Sequence, residues 1–100
     1  MITFRFPTAA GNDILRSGKI DKVLQQAMED LKPEAAYFYP VNGDRGGHFI
    51  VNMTESTDVL RFGERIWFGL NAQIEMTPVM GAEDIQKGMG ELPGIIERYG

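Results

Sequence analysis

The chain has 100 residues, of which 43% are hydrophobic and 24% charged, with a formal net charge of −4 and no cysteine. These values are typical of one globular domain over residues 1–100, and they exclude disulfide frameworks, thiol nucleophiles and thiolate metal sites. An acidic chain without a run of Lys or Arg is also a poor partner for nucleic acid, because phosphate binding needs a basic stripe.

The first half of the chain predicts a strand, a helical region and two further strands. Apolar and polar residues alternate over residues 2–6, which is the pattern of a half-buried strand. Apolar residues recur at helical spacing over residues 10–31, and Ser17-Gly18 interrupts them, which predicts either a kink or two successive helices. Further strands are predicted over residues 35–39 and 48–53, joined by a turn rich in glycine.

The second half predicts a helix, a fourth strand and a helical tail. The helix is predicted over residues 57–68, the strand over 72–79, and two short helices over 82–87 and 93–99. The order β-α-β-β-α-β is the ferredoxin-like pattern, so the sequence predicts an α+β fold with one four-stranded antiparallel sheet. Helices are expected to cover one face of that sheet.

The alternation along the predicted strands gives the sheet an apolar face and a mixed face. The apolar set belongs on the helix side, where Phe4 and Phe38 are expected to be buried core residues. The opposite face combines aromatic rings with polar groups, whereas a face in bulk water is usually rich in Lys and Glu. A mixed face is typical of one that a partner sheet closes over a small cavity. That face comprises Thr3, Arg5, Tyr37, Tyr39, His48, Ile50, Asn52, Gln73, Glu75 and Thr77.

Five residues on the mixed face are candidates for ligand binding: Arg5, Tyr37, His48, Asn52 and Glu75. His48, the only histidine, is either an acid–base or haem-ligand candidate or a partly exposed residue at a strand end. Arg5 and Glu75 either bind an acidic ligand as a buried pair or form an ordinary cross-strand ion pair. Tyr37, like Tyr39 on the same face, either polarises a substrate oxygen or forms one wall of a pocket, or it is an ordinary half-buried strand residue. No catalytic residue is assigned, and a single histidine offers no histidine pair for a metal.

Several segments together carry a resemblance to a known group of proteins. They are Leu31-Lys32-Pro33-Glu34-Ala35-Ala36-Tyr37-Phe38, then Arg45, Leu70-Asn71-Ala72, Pro78-Val79-Met80 and Glu83-Asp84. Over nearly its whole length the chain resembles a bacterial family of small ferredoxin-like proteins of uncharacterised function, within the dimeric α/β-barrel group. The resemblance implies a homodimer whose two sheets pack face to face into a barrel. The wider group includes small monooxygenases, muconolactone isomerase-like enzymes, haem-binding members and stress-responsive proteins, and no catalytic residue of theirs matches a motif here.

Two functions remain open at the level of sequence. One is a small homodimeric protein, enzyme or not, that binds a small and largely apolar or acidic molecule in a pocket on the sheet. The other is a non-catalytic dimerisation module with a structural or stress-related role. In both, no cofactor, nucleic acid or membrane is expected as a partner, since no apolar run approaches the ~18–20 residues of a membrane span. The absence of a signal-peptide pattern predicts a cytoplasmic location.

Overall fold

The computed structural model describes all 100 residues and is an α+β fold with four strands and five helices. The elements are β1 Ile2–Arg5, α1 Thr8–Arg16, α2 Ile20–Leu31, β2 Ala35–Phe38, β3 Gly46–Ile50, α3 Asp58–Leu70, β4 Gln73–Met76, α4 Ala82–Met89 and α5 Leu92–Tyr99. The predicted α+β class is confirmed, and all four predicted strands are present. The helical region over residues 10–31 is two successive helices rather than one kinked helix, because Gly18, with a φ of +70°, separates α1 from α2.

The four strands form one antiparallel sheet in the order β2-β3-β1-β4. β1 pairs with β3 on one side and with β4 on the other, so β2 and β4 are the two edges. One register row crosses all four strands: Tyr37 lies opposite His48, His48 opposite Thr3, and Thr3 opposite Glu75. Neighbouring strands are about 4.8 Å apart, so this row is roughly 14 Å long.

The core lies between one face of the sheet and the helices α2 and α3. Its eight buried apolar residues are Ile2, Phe4, Phe6, Leu31, Phe49, Ile66, Leu70 and Ala72. Phe4 is 1% exposed and stacks on Phe49 with ring centroids 4.7 Å apart, as the alternation along β1 predicts. The expected burial of Phe38 is wrong. Its side chain is 57% exposed, because β2 is an edge strand with no neighbour on its outer side.

β3 begins with two glycines, Gly46 and Gly47, which allow the neighbouring strands β1 and β2 to approach closely. The strand begins two residues earlier than predicted and ends at Ile50 rather than at residue 53. A Cβ on Gly46 would collide with the carbonyl oxygen of Phe4, and a Cβ on Gly47 would collide with that of Tyr37. The glycine-rich stretch therefore serves as strand as well as turn.

Residues 77–100, here called the C-terminal arm, extend away from the rest of the molecule. The arm carries α4 and α5, and neither helix has a buried residue. The molecule measures 59 × 26 × 20 Å and has a radius of gyration of 17.3 Å, whereas a compact domain of this length has about 13 Å. No helix of the fold combines the length and the apolar character that crossing a membrane requires.

Candidate functional site

The open face of the sheet, on the side away from α2 and α3, carries the candidate site. In β1, Phe4 is buried on the helix side while Thr3 and Arg5 are partly exposed on the open side, and β3 alternates in the same way. The register row described above lies on this open face. It brings three of the five candidates, Tyr37, His48 and Glu75, onto one line across the strands.

His48 lies between two tyrosines on the open face. The ring centroids of Tyr37 and His48 are 5.2 Å apart, and those of Tyr39 and His48 are 5.4 Å apart. The Tyr39 hydroxyl and His48 Nδ1 share a hydrogen bond of 2.8 Å, which leaves the imidazole Nε2 without a partner in the chain. Tyr37 and Tyr39 are 59% and 41% exposed, so this aromatic cluster presents both ring surface and polar atoms to a ligand.

Arg5 is held by the hairpin between β2 and β3 rather than by β4. Its Nη1 donates to Asp44 Oδ2 at 2.8 Å, and the Thr8 hydroxyl donates to the other carboxylate oxygen at 3.0 Å. β1 and β4 are neighbours as predicted, but the register sets Arg5 opposite Gln73, and the ion pair forms with Asp44 instead of Glu75. A guanidinium has five N–H donors, so Arg5 keeps donors for a second anionic group.

Asn52 lies at the opposite end of the sheet from Arg5. It is two residues beyond the end of β3, and its Nδ2 donates to Glu34 Oε1 at 2.7 Å. Arg5, in contrast, pairs with the first residue of β3. Two of the five candidates, Arg5 and Asn52, therefore lie at opposite ends of the sheet. The hydrogen bond to Glu34 gives Asn52 a bracing role next to β2.

A shallow cleft of about 330 Å³ lies where β1 and β4 meet the hairpin. Arg5 and Glu75 line it together with Val41 and Asn42 of the hairpin. Glu75 takes part in none of the chain's three ion pairs, so its carboxylate is free to meet a donor from outside. The cleft is open to solvent, and a ligand in it would be enclosed only when a second surface covers the sheet.

The one carboxyl group with a clearly altered pKa lies away from this face, at the start of α3. Asp58 accepts the backbone N–H groups of Thr54 and Glu55 at 2.9 and 3.2 Å. The hydrogen bond from Thr54 lowers the pKa of Asp58 most, and the one from Glu55 lowers it further. Burial acts in the opposite direction, while the Arg61 guanidinium at 3.2 Å also lowers the pKa. Asp58 therefore fastens the loop before α3 and takes no part in the candidate site.

The side chains of the open face combine ring surface with a few polar groups. No group of three or more His, Asp or Glu side chains is arranged to hold a metal ion. The open face offers an aromatic wall at Tyr37 and His48, a hydrogen-bonded pair at Tyr39 and His48, and a guanidinium at Arg5. A few polar groups placed around apolar surface are the usual composition of a small-molecule site.

Two further residues, Tyr39 and Asp44, contact the candidates His48 and Arg5, and each had a signal in the sequence. Tyr39 follows Tyr37 by two positions, so a strand puts both rings on the same face. Asp44 lies in a turn that precedes the strand next to β1, where an acidic side chain can reach a basic one. Only the folded hairpin shows that Asp44 reaches Arg5.

No protein-family model, curated protein or solved structure matches the chain.

Proposed function

We propose that the chain is a ferredoxin-like protein of the bacterial dimeric α/β-barrel group that binds a small molecule as a homodimer. The strand order β2-β3-β1-β4, with helices connecting β1 to β2 and β3 to β4, supports the ferredoxin-like assignment. In this proposal the open faces of two sheets lie against each other, and the ligand binds between them.

The observation that carries the proposal is the aromatic cluster on an uncovered sheet face. Tyr37, His48 and Tyr39 together present a patch of rings whose tyrosines are about half exposed. Of the sixteen large hydrophobic side chains that are exposed, Tyr37 and Tyr39 lie together on this face beside His48. Exposed rings grouped on one sheet face are typical of an interaction surface, and a second copy is the partner always present at equal concentration.

The composition of the open face favours an aromatic carboxylate as ligand. The rings of Tyr37 and His48 provide apolar contact, and the remaining N–H donors of Arg5 can pair with one carboxylate. The nearby carboxylates of Asp44 and Glu75 repel anions that carry more than one charge. A singly charged, largely apolar acid therefore fits better than a phosphate ester.

Thermal shift and calorimetry with benzoate, phenylacetate and 4-hydroxybenzoate test this function. We expect at least one of these acids to raise the melting temperature of the wild type. The same acid should bind Arg5→Ala and Tyr37→Ala at least about tenfold more weakly, because each change removes a group that contacts it. Each shift is measured against the melting temperature of the same variant without ligand.

Arg16→Ala is the matched control for Arg5→Ala. Arg16 also pairs with an aspartate, Asp13 at 3.6 Å, but it lies on α1 and not on the open face. We expect it to keep the ligand-induced shift of the wild type. Equal shifts in Arg5→Ala, Tyr37→Ala and Arg16→Ala would remove the open face from the site.

A non-catalytic dimerisation module is the second candidate, and the hydrogen bonds of the open face favour it. Arg5 is paired with Asp44, Asn52 with Glu34, and the polar ends of Tyr39 and His48 with each other. Groups that satisfy one another need no ligand. A dimeric mass in light scattering, without a shift from any of the three acids, would favour this function.

A further inference from the structure

The C-terminal arm has the apolar pattern of a packed segment, yet no other part of the same chain covers its apolar side chains. Each of its two helices keeps its large apolar residues on one side, at spacings of three and four. Those residues are Ile85 and Met89 on α4 and Leu92, Ile95, Ile96 and Tyr99 on α5. All of them except Leu92 are between 47% and 79% exposed.

Two helices of this length need a surface to stay ordered. Each has eight residues, whereas isolated helices shorter than about 12–15 residues are marginal in water. Each also contains an internal glycine, Gly88 or Gly94, which costs about 1 kcal/mol relative to alanine. The Gly81 N–H donates to Asp84 Oδ2 at 3.0 Å, which caps α4 but covers none of its apolar side.

The rest of the chain exposes an apolar groove between α3 and the edge strand β4. Its residues, here called the α3–β4 groove, are Val59, Gly63, Trp67 and Met76, together with Leu60, which precedes Gly63 and Trp67 by three and seven positions and so lies on the same side of α3. A Cβ on Gly63 would lie 3.1 Å from the Trp67 ring and 3.5 Å from Met76 Cε, so these three residues form a continuous floor. Val59, Leu60 and Trp67 are 46%, 60% and 40% exposed, and no element of the same copy covers them.

The arm starts at one end of this groove. Pro78 and Val79, at the root of the arm, line a hollow of about 420 Å³ together with Val59 and Met76 of the groove. Two copies that meet at this end, related by a two-fold axis, would each place an arm beside the groove of the other. A two-fold contact is reciprocal, so both arms and both grooves are covered at once.

We propose that the two copies exchange C-terminal arms, with α4 and α5 of one copy bound along the α3–β4 groove of the other. The exchange rests on the homodimer of the proposed function and adds a second contact to that between the sheets. Together the two contacts should reach the roughly 1,600 Å² of a stable interface.

The charge of the arm argues against an anionic membrane or nucleic acid as its occupant. The arm carries four acidic and two basic residues, hence a net charge of −2. An amphipathic helix that binds a membrane surface is usually rich in Lys and Arg on its polar side.

Disulfide trapping tests the exchange selectively, because the chain has no cysteine of its own. Copies with Ile85→Cys or Ile96→Cys are mixed with differently tagged copies with Leu60→Cys and then oxidised. We expect at least one pair to give a cross-linked product that carries both tags. All three residues are 49–60% exposed, so the variants should keep the wild-type circular dichroism spectrum.

Glu97→Cys is the matched control, since Glu97 lies on the polar side of α5. Paired with Leu60→Cys, it should give several-fold less cross-linked product than Ile96→Cys. A chain that carries both Ile96→Cys and Leu60→Cys and cross-links within one copy at high dilution would overturn the exchange, since its arm then folds onto its own groove.

Light scattering of the wild type separates the two proposals. A dimeric mass without any cross-link between copies overturns the arm exchange alone and leaves the open-face site standing. A monomeric mass removes the homodimer on which both rest. Co-sedimentation of the wild type with phosphatidylglycerol vesicles, lost in Ile96→Asp, would overturn the exchange in favour of a membrane.

Discussion

Phe4 and Phe38 lie on the same side of the sheet but in different environments, which makes them a matched pair for mutation. We expect Phe4→Ala to lower the free energy of unfolding by about 3–5 kcal/mol, because Phe4 is fully buried and leaves a cavity. Phe38→Ala should cost under about 2 kcal/mol, since 57% of that side chain is already in water. Urea denaturation measures both, and equal losses would show that β2 is not an exposed edge.

Asp58 should make stability depend on acid pH. Its folded pKa lies below the ordinary value of about 3.9, so the stabilisation it provides is complete above that value. It is lost as the pH falls through the folded pKa. Asp58→Asn should therefore lower the melting temperature near neutral pH, and the difference from the wild type should shrink below about pH 4.

Asp30→Asn is the control for that pH dependence. Asp30 is exposed on α2 and forms none of the chain's ion pairs. Its melting temperature should follow the wild-type curve at every pH. A constant difference between Asp58→Asn and the wild type from pH 7 to pH 2 would contradict the assigned role of the Asp58 carboxylate.

Single residues of the site were predictable where strand alternation decides them. The alternation of side chains along a strand predicts Thr3 and Arg5 on one side of β1 and Phe4 on the other, and the structure confirms this arrangement. The partner of Arg5 was not predictable, because it depends on the path of the hairpin. Asn42 and Gly43 have φ values of +51° and +86°, and this turn brings Asp44 to β1.

At the scale of elements, two glycines should respond in opposite directions to alanine. Gly47→Ala should lower the free energy of unfolding by about 1–3 kcal/mol, since its Cβ would collide with the Tyr37 carbonyl and push β2 away. Gly69→Ala should raise it by up to about 1 kcal/mol, because Gly69 lies inside α3 with open space where a Cβ would go. Chemical denaturation checks both, and a stabilising Gly47→Ala would mean that β2 and β3 are not packed this closely.

Element type was easier to predict than element bounds. The helix predicted over residues 57–68 is α3, which continues to Leu70 and ends at Asn71 with a left-handed φ of +51°. Asn tolerates that conformation, so Asn71 indicates the end of the helix in the sequence. A prediction based on apolar periodicity alone does not take this residue into account. β3 starts at two glycines that a propensity argument assigns to the turn, because the need for close strands arises only from pairing.

For the whole molecule, the order of elements predicted the antiparallel sheet but not the arm's position. Hairpin pairing of β2 with β3 and the apolar face of each strand are local properties that the sequence carries. The helices of the C-terminal arm were also predicted, close to their observed bounds. Periodicity shows that a helix has an apolar side, and it does not show which surface will cover it. That surface lies on another copy in the exchange proposed above.

The two free edges of the sheet bear on aggregation. β2 and β4 have only four residues each, and a proline follows each strand two residues later, Pro40 and Pro78. Proline has no N–H to donate, and a short edge offers few unpaired backbone groups for a foreign strand. Edge-to-edge growth into a fibril is therefore opposed at both sides of the sheet. The protein can therefore expose apolar side chains for specific association, while its short edge strands disfavour unspecific aggregation through strand pairing.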